Sequence, residues 1–342
     1  MGALWRIGRL GANLPPTGGT KGGPVAARPD DTTRAGGFGA SVAFMDSRPT
    51  APFGEVLTAV LTPFDESGAV DYETFWRLLK HLADNDCDGV VVAGTTGESP
   101  TLSTPEKVAL FKAAVEAVGD RLTIIAGTGT YDTAASVALT QKAAEIGVNG
   151  VMAVTPYYSK PPQEGLYRHF TAIADASDLP VLLYNIPGRT ARLIEVETLQ
   201  RLADHERIVA VKDAVDDLEW TENEIRELPE GFAVYSGSDA VTRGMVSANG
   251  VGVVSVAAHF AAPQIKRMVR ATVDGDDAES WRLHDGLRPL FDALFVEPNP
   301  IPLKAGMNAV WGQVGEPRLP LIPASAETTQ QIEAAMETVQ SL

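Results

Sequence analysis

"LTIIAGTGTYDTAASVALTQKAAEIGVNGVMAVT", residues 122–155, holds two short apolar runs with one helical pattern between them. Leu122–Ala126 and Gly150–Val154 each have the length and composition of a buried strand. Thr133–Ile146 carries a helical pattern, and Gly147 stands where a helix C-cap belongs. Strand, helix and strand in that order form a crossover unit, the connection that parallel neighbours require.

Working outward, the same texture recurs from Glu55 onward. Strand-like runs fall at Val56–Leu61, Gly89–Ala93, Leu122–Ala126, Gly150–Val154, Val181–Tyr184, Ile208–Val211, Phe232–Tyr235 and Val251–Val256. Helical patterns such as Thr104–Val118 and Gln163–Ala176 lie between them, and Thr104-Pro105-Glu106 reads as an N-cap followed by proline at N1. Eight such units predict an α/β fold of the (β/α)8 (TIM) barrel type, since an open doubly wound sheet usually has five or six strands. The expected barrel spans residues 51–275, and residues 276–342 add a C-terminal helical segment with stretches near 276–295, 301–310 and 327–340. Such an appendage covers one face of the barrel or builds a subunit contact.

Residues 1–50 differ. They hold ten glycines and five prolines without sustained periodicity, the composition of a disordered extension. The segment lacks the compact apolar core of a secretory signal and only faintly resembles a transit peptide. An unstructured tail, or translated sequence upstream of a start at Met45, explains it better.

The formal charge is −16; residues 1–50 contain six Lys/Arg and three Asp/Glu, and the remainder 22 and 41. A body this acidic lacks the basic stripe that nucleic acid requires. No apolar run reaches the ~18 residues of a membrane span. The single cysteine, Cys87, leaves no disulfide framework or cysteine-rich metal site and fits a reducing, cytoplasmic location. The five histidines are scattered, none spaced as a metal pair, so no metal is expected.

In a barrel of this kind active sites lie at the C-terminal strand ends. Those ends read Thr62-Pro63-Phe64, "AGTTGES" (93–99), "TPYYSKPPQEG" (155–165), "YNIPGRT" (184–190), Lys212-Asp213 and "SGSD" (236–239). Lys212 directly follows the apolar run Ile208–Val211. Desolvation there disfavours an ammonium and leaves a nucleophile for a carbonyl carbon. The competing reading pairs Lys212 with Asp213 or another carboxylate. The GTTGE loop can hold a carboxylate or phosphate, or can be a plain turn. Tyr184 can relay protons and Arg189 can clasp a carboxylate, or they can be a core tyrosine and a snorkelling arginine.

The segments "GTTGESPTL", "TPYYSKPPQEGLYRHF", "LYNIPGRT", "VKDA", "YSGSD" and "FVEPNPIPLK" give the chain, from about Glu55 to Leu342, a resemblance to the dihydrodipicolinate synthases, Schiff-base enzymes of the N-acetylneuraminate lyase superfamily. GTTGE and the lysine mark the superfamily; Tyr157-Tyr158 and Gly188-Arg189 point to the synthases within it. The resemblance implies that Lys212 condenses with pyruvate and that Thr95, Tyr184 and Tyr158 form a proton relay, Tyr158 reaching a neighbouring subunit's site in a homotetramer built from two tight dimers. It further implies that Thr96 holds the pyruvate carboxylate, that Gly237 and the Val254 backbone line its site, and that Arg189 binds L-aspartate 4-semialdehyde. The implied product is 4-hydroxy-tetrahydrodipicolinate, on the route to lysine and diaminopimelate. Lysine-sensitive members bind the effector through positions that here read Pro100, Thr104, Lys107, Tyr131 and Ala135, which implies weak feedback inhibition. The rivals are a lyase of 2-oxo sugar acids, against which Arg189 argues, and a barrel that binds a small acid without chemistry.

Overall fold

The computed structural model describes residues 48–342. Eight parallel strands close on themselves in sequence order: β1 (Val56–Ala59), β2 (Gly89–Val92), β3 (Thr123–Gly127), β4 (Gly150–Val154), β5 (Val181–Asn185), β6 (Ile208–Asp213), β7 (Ala233–Ser236) and β8 (Gly252–Ser255). Helices follow each strand: α1 (Tyr72–Asp84), α2 (Thr104–Val118), α3 (Thr133–Ile146), α4 (Gln163–Ala174), the single turn α5 (Pro187–Thr190) with α6 (Val196–Ala203), α7 (Leu218–Glu227), α8 (Thr242–Ser247) and α9 (Ala258–Val273). The barrel and the C-terminal helical segment expected from the sequence are both present, the latter as α10 (Asp277–Ala293), α11 (Ile301–Val310) and α12 (Ala326–Val339). Among the described residues no helix is long and apolar enough to cross a membrane.

Period-two alternation sorts the strand residues into two cores. Leu57, Val91, Ile125, Met152, Leu182, Ala210, Ala233 and Val254 point into the barrel and pack together. Their neighbours Val56, Val90, Ile124, Val151, Leu183, Val211, Val234 and Val253 face the helices. Both faces are buried, which is why these strands read as continuous apolar runs rather than as alternating ones.

Most strand ends shift by one or two residues from the sequence reading, and two of the differing boundaries have a plain physical cause. Ser103, not Thr104, is the N-cap of α2: Glu106 donates its N–H to Ser103 Oγ, and Glu106 Oε2 accepts from the Ser103 N–H at 2.7 Å. This reciprocal capping box needs the carboxylate at the third helical position, which a cap at Thr104 would not provide. The second difference is β6, which runs past its apolar residues through Lys212 and Asp213. These pair with Tyr184 and Asn185 of β5 and with Tyr235 and Ser236 of β7. Backbone pairing in a closed barrel ends where the neighbours end, not where hydrophobicity does. Gly147 caps α3 in the left-handed region at φ 89°, as expected.

Of the expected extension, residues 1–47 lie outside the described residues. Arg48 donates to the carbonyls of Val246 and Gly250 at 2.5 and 2.6 Å, holding the chain against the barrel just before Phe53 packs into it.

Candidate active site

Alternation aims Lys212 inward, two residues beyond Ala210, at the C-terminal mouth of the barrel. There a cavity of roughly 600 Å³ is lined by Thr95, Thr96, Tyr184, Arg189, Lys212 and Gly237, with Phe291, Phe295, Val296 and Asn299 closing it from the C-terminal segment. The appendage therefore covers the catalytic end of the barrel. A second space, of about 220 Å³, continues past Thr95 and Tyr184 toward Pro100 and Tyr157.

Lys212 is 5% exposed, and among the described residues no carboxylate lies within ion-pairing distance of its Nζ. The ammonium sits 4.3 Å from the centroid of the Tyr184 ring. Burial pushes it down to about 8; the charge of Arg189 acts in the same direction and that of Asp239 opposes both. The competing expectation, a pair with Asp213, fails on geometry. Asp213 points away, accepting from Thr221 Oγ1 at 2.6 Å and from the Val215 N–H at 3.2 Å.

Tyr184 is buried, which raises its phenol to about 12, against the influence of Arg189 and of the Thr95 side chain. Such a phenol is a proton donor rather than a standing anion. Thr96 Oγ1 accepts from Asn299 Nδ2 at 2.9 Å, leaving its own hydrogen free to donate. Among the described residues nothing accepts the backbone N–H of Thr95 or Thr96, so two more donors stand beside that hydroxyl. These donors suit a carboxylate.

Gly237 donates its N–H to the Asp213 carbonyl at 2.6 Å. A Cβ there would lie 2.7 Å from Ala214 Cβ and 3.0 Å from Lys212 Cε, so a larger residue would displace the amine itself. Arg189 enters from α5, and its Nη2 donates to the Asn299 carbonyl at 3.4 Å.

Two of the expected site residues do not bring their side chains to this cavity. The Val254 side chain packs within the barrel interior and does not line the cavity. Tyr158 is 93% exposed, at φ 68°, and does not line its own subunit's cavity.

Several supporting residues carried no role in the sequence reading. Asp239, inside the "SGSD" segment, is buried and accepts from Ser255 Oγ and from the Val256 and Ala257 N–H groups, the last two at 3.0 Å. Glu98, the last residue of GTTGE, is held at φ 56° and forms a buried ion pair with Lys304 of α11 at 2.8 Å. Its other oxygen accepts from the Arg318 N–H at 2.8 Å, and Arg318 in turn bonds to the carbonyls of Gly68 and Thr101 and to Glu106. About two hundred residues separate these partners, so no local signal joined them.

An unpaired, desolvated amine beside a phenol at the mouth of a closed (β/α)8 barrel suits a lyase. The family model "Dihydrodipicolinate synthetase family" matches residues 52–339, and the chain belongs to that family. It is 49% identical over 286 residues to the 4-hydroxy-tetrahydrodipicolinate synthase of Synechococcus elongatus, covering 83% of this chain and 96% of that one. It is also 49% identical over 276 residues to the enzyme of the same name from Bacillus subtilis, covering 80% and 95%. Among solved structures, a dihydrodipicolinate synthase of Bacillus anthracis superposes with a TM-score of 0.81 at 44% identity, covering 83% of this chain and 98% of that one. The Cyanidioschyzon merolae enzyme with lysine bound gives 0.83 at 44%, covering 85% and 99%. The reading as a synthase-type lyase, rather than a lyase of sugar acids, stands.

Proposed function

We propose that this protein condenses pyruvate with L-aspartate 4-semialdehyde through a Schiff base on Lys212, giving 4-hydroxy-tetrahydrodipicolinate for lysine and diaminopimelate synthesis. The observation that carries the proposal is the amine itself, buried against Tyr184 with no carboxylate paired to it among the described residues. With its proton affinity lowered to about 8, roughly one amine in ten is neutral at pH 7. An ordinary lysine would be neutral roughly once in several thousand.

The neutral amine adds to the keto carbon of pyruvate, whose carboxylate rests on the Thr96 hydroxyl and the N–H groups of Thr95 and Thr96. Tyr184 gives its proton to the carbinolamine hydroxyl, which leaves as water, and an iminium remains. The iminium draws electrons from the methyl group, so loss of a proton there yields an enamine. The enamine carbon attacks the aldehyde of the second substrate, held through its carboxylate by Arg189. The substrate's own amino group then displaces Lys212 and closes the ring. Gly237 keeps the space that the lysine chain needs, and the Val254 backbone borders the pyruvate position.

Thr95 and Tyr158 complete the proton relay with Tyr184 in this proposal, Tyr158 acting in a neighbouring subunit. Its near-complete exposure and left-handed backbone support a side chain presented outward to a partner. The assembly is then a homotetramer of two tight dimers, with no cofactor. Cytoplasmic location rests on Cys87, a buried free thiol suited to a reducing compartment. The test is to incubate the protein with pyruvate, reduce with borohydride and map the adduct by mass. An N-(1-carboxyethyl) adduct on Lys212 is expected; its absence overturns the proposal.

A further inference from the structure

Four charged side chains line the catalytic cavity: Lys212, Arg189, Asp292 and Asp216. Three have assigned work. Lys212 is the amine, Arg189 bonds to the Asn299 carbonyl and faces the space, and Asp292 is paired with Arg288 at 2.7 Å. Asp216 is left over. Among the described residues it makes no ion pair and accepts no hydrogen bond, and it sits at φ 61°, a backbone region that L-residues other than Asn and Asp rarely enter.

Its place in the fold narrows what it faces. Asp216 leaves the end of β6 four residues after Lys212, and Arg189 leaves the end of β5 five residues after Tyr184. Those two strands are neighbours, with Tyr184 opposite Lys212. The cation and the anion therefore rise from adjacent strand ends into the cavity that holds the amine, Asp216 at its exposed rim, and the Asp216 charge reaches the Tyr184 phenol. An α-amino acid headgroup presents an anion and a cation on one carbon, so adjacent groups of opposite sign match it.

We infer that Asp216 determines specificity for the second substrate, accepting hydrogen bonds from its α-ammonium while Arg189 takes its α-carboxylate. The inference rests on the proposed function and narrows it: the cavity selects an amino-acid aldehyde over an oxo acid of the same length that lacks the amino group. Pyruvate, with no cation to offer, does not use Asp216.

The full chain tests this with Asp216→Asn, which keeps the shape and tolerates the left-handed backbone, and with Asp216→Gly, which removes the side chain and any strain. For both, the KM for L-aspartate 4-semialdehyde should rise about tenfold, the worth of one charge-assisted hydrogen bond. The inhibition constant of 4-oxobutanoate, its des-amino analogue, should stay within about twofold, as should the yield of the reduced pyruvate adduct. Unchanged KM, equal weakening of both aldehydes, or an effect in only one variant overturns the inference. If the unaltered protein forms no pyruvate adduct, it is the underlying function that fails.

Discussion

Among the described residues two lysines are buried, and they have opposite chemistry. Lys304 is fully buried with Glu98 at 2.8 Å, the Glu316 carbonyl at 3.2 Å and the Phe64 ring centroid 4.0 Å from its Nζ. Lys212 is buried nearly as deeply, but it has a phenol ring and no carboxylate within pairing distance. Burial lowers the proton affinity of both, while at Lys304 the first opposing influence is its partner Glu98. A buried lysine with a carboxylate is a structural cation; one without is a nucleophile in waiting. Depth of burial alone does not separate them.

The most severe way to break the contrast is Lys212→Arg. A guanidinium stays charged at every working pH, so turnover should fall about 10⁴-fold or more, and adduct formation should vanish. In the unaltered protein, adduct formation rate should climb with pH through about 8, where half of the amine is neutral, and level off above it. A flat profile from pH 6 to 9 would contradict the lowered affinity.

Lys304→Met attacks the other lysine. It strands the Glu98 carboxylate in the interior and should cost roughly 3–5 kcal/mol of stability in urea unfolding. Adding Glu98→Gln should recover part of that loss. If the single change is neutral, the pair is not the cation site described here.

The rule extends to anions. Asp213 and Glu224 lie buried together, and burial raises both, Asp213 to about 6 and Glu224 well above its usual 4.5. The folded state therefore binds a proton that the unfolded chain releases above about pH 4.5. Stability falls as pH rises from there to the raised folded-state value. Glu224→Gln should remove the share of that slope owed to Glu224 and stabilise the fold at pH 8, leaving the share of Asp213 below about pH 6, read from urea midpoints between pH 5 and 9. A steeper slope in the variant would reverse the assignment.

Lys107 is an intermediate case, partly buried and lowered by burial alone. Tyr131 and Tyr157 meet edge to face at 5.2 Å, and Ala135 offers no carboxylate. A cationic amino acid should bind poorly there. Half-inhibition by L-lysine should need more than about one millimolar, each lost or opposed ionic contact costing roughly 1–3 kcal/mol. A titration at subsaturating pyruvate decides it. The smallest effect is expected from starting the chain at Met45, which keeps Arg48 and its two carbonyl bonds; kcat, KM and assembly should be unchanged.

What was legible in the sequence follows the range of the physics. Strand and helix periodicity is local, so eight β/α units and three extra helices could be counted from apolar spacing. The strand-end rule then placed Lys212, Tyr184, Arg189 and the GTTGE loop at one mouth. Long-range pairing was not legible. Nothing around Glu98 announces Lys304, and Asn299 does not announce that it donates to Thr96. Ser103 and Thr104 are both good caps, and only the position of Glu106 separates them. The end of β6 depended on its neighbours' lengths, which apolar runs do not encode. Nothing in the sequence sets Glu224 apart from the other acidic residues of α7, because its burial depends on how α7 packs against β6.

The Glu98–Lys304 pair also has an evolutionary meaning. Either residue replaced alone leaves the other's charge without a counterion in the interior, so a lineage can change the two together or keep both. Substitutions at these positions should therefore co-vary across species. A chimera that takes its barrel from one relative and its final helices from another should lose stability wherever that pairing is not kept.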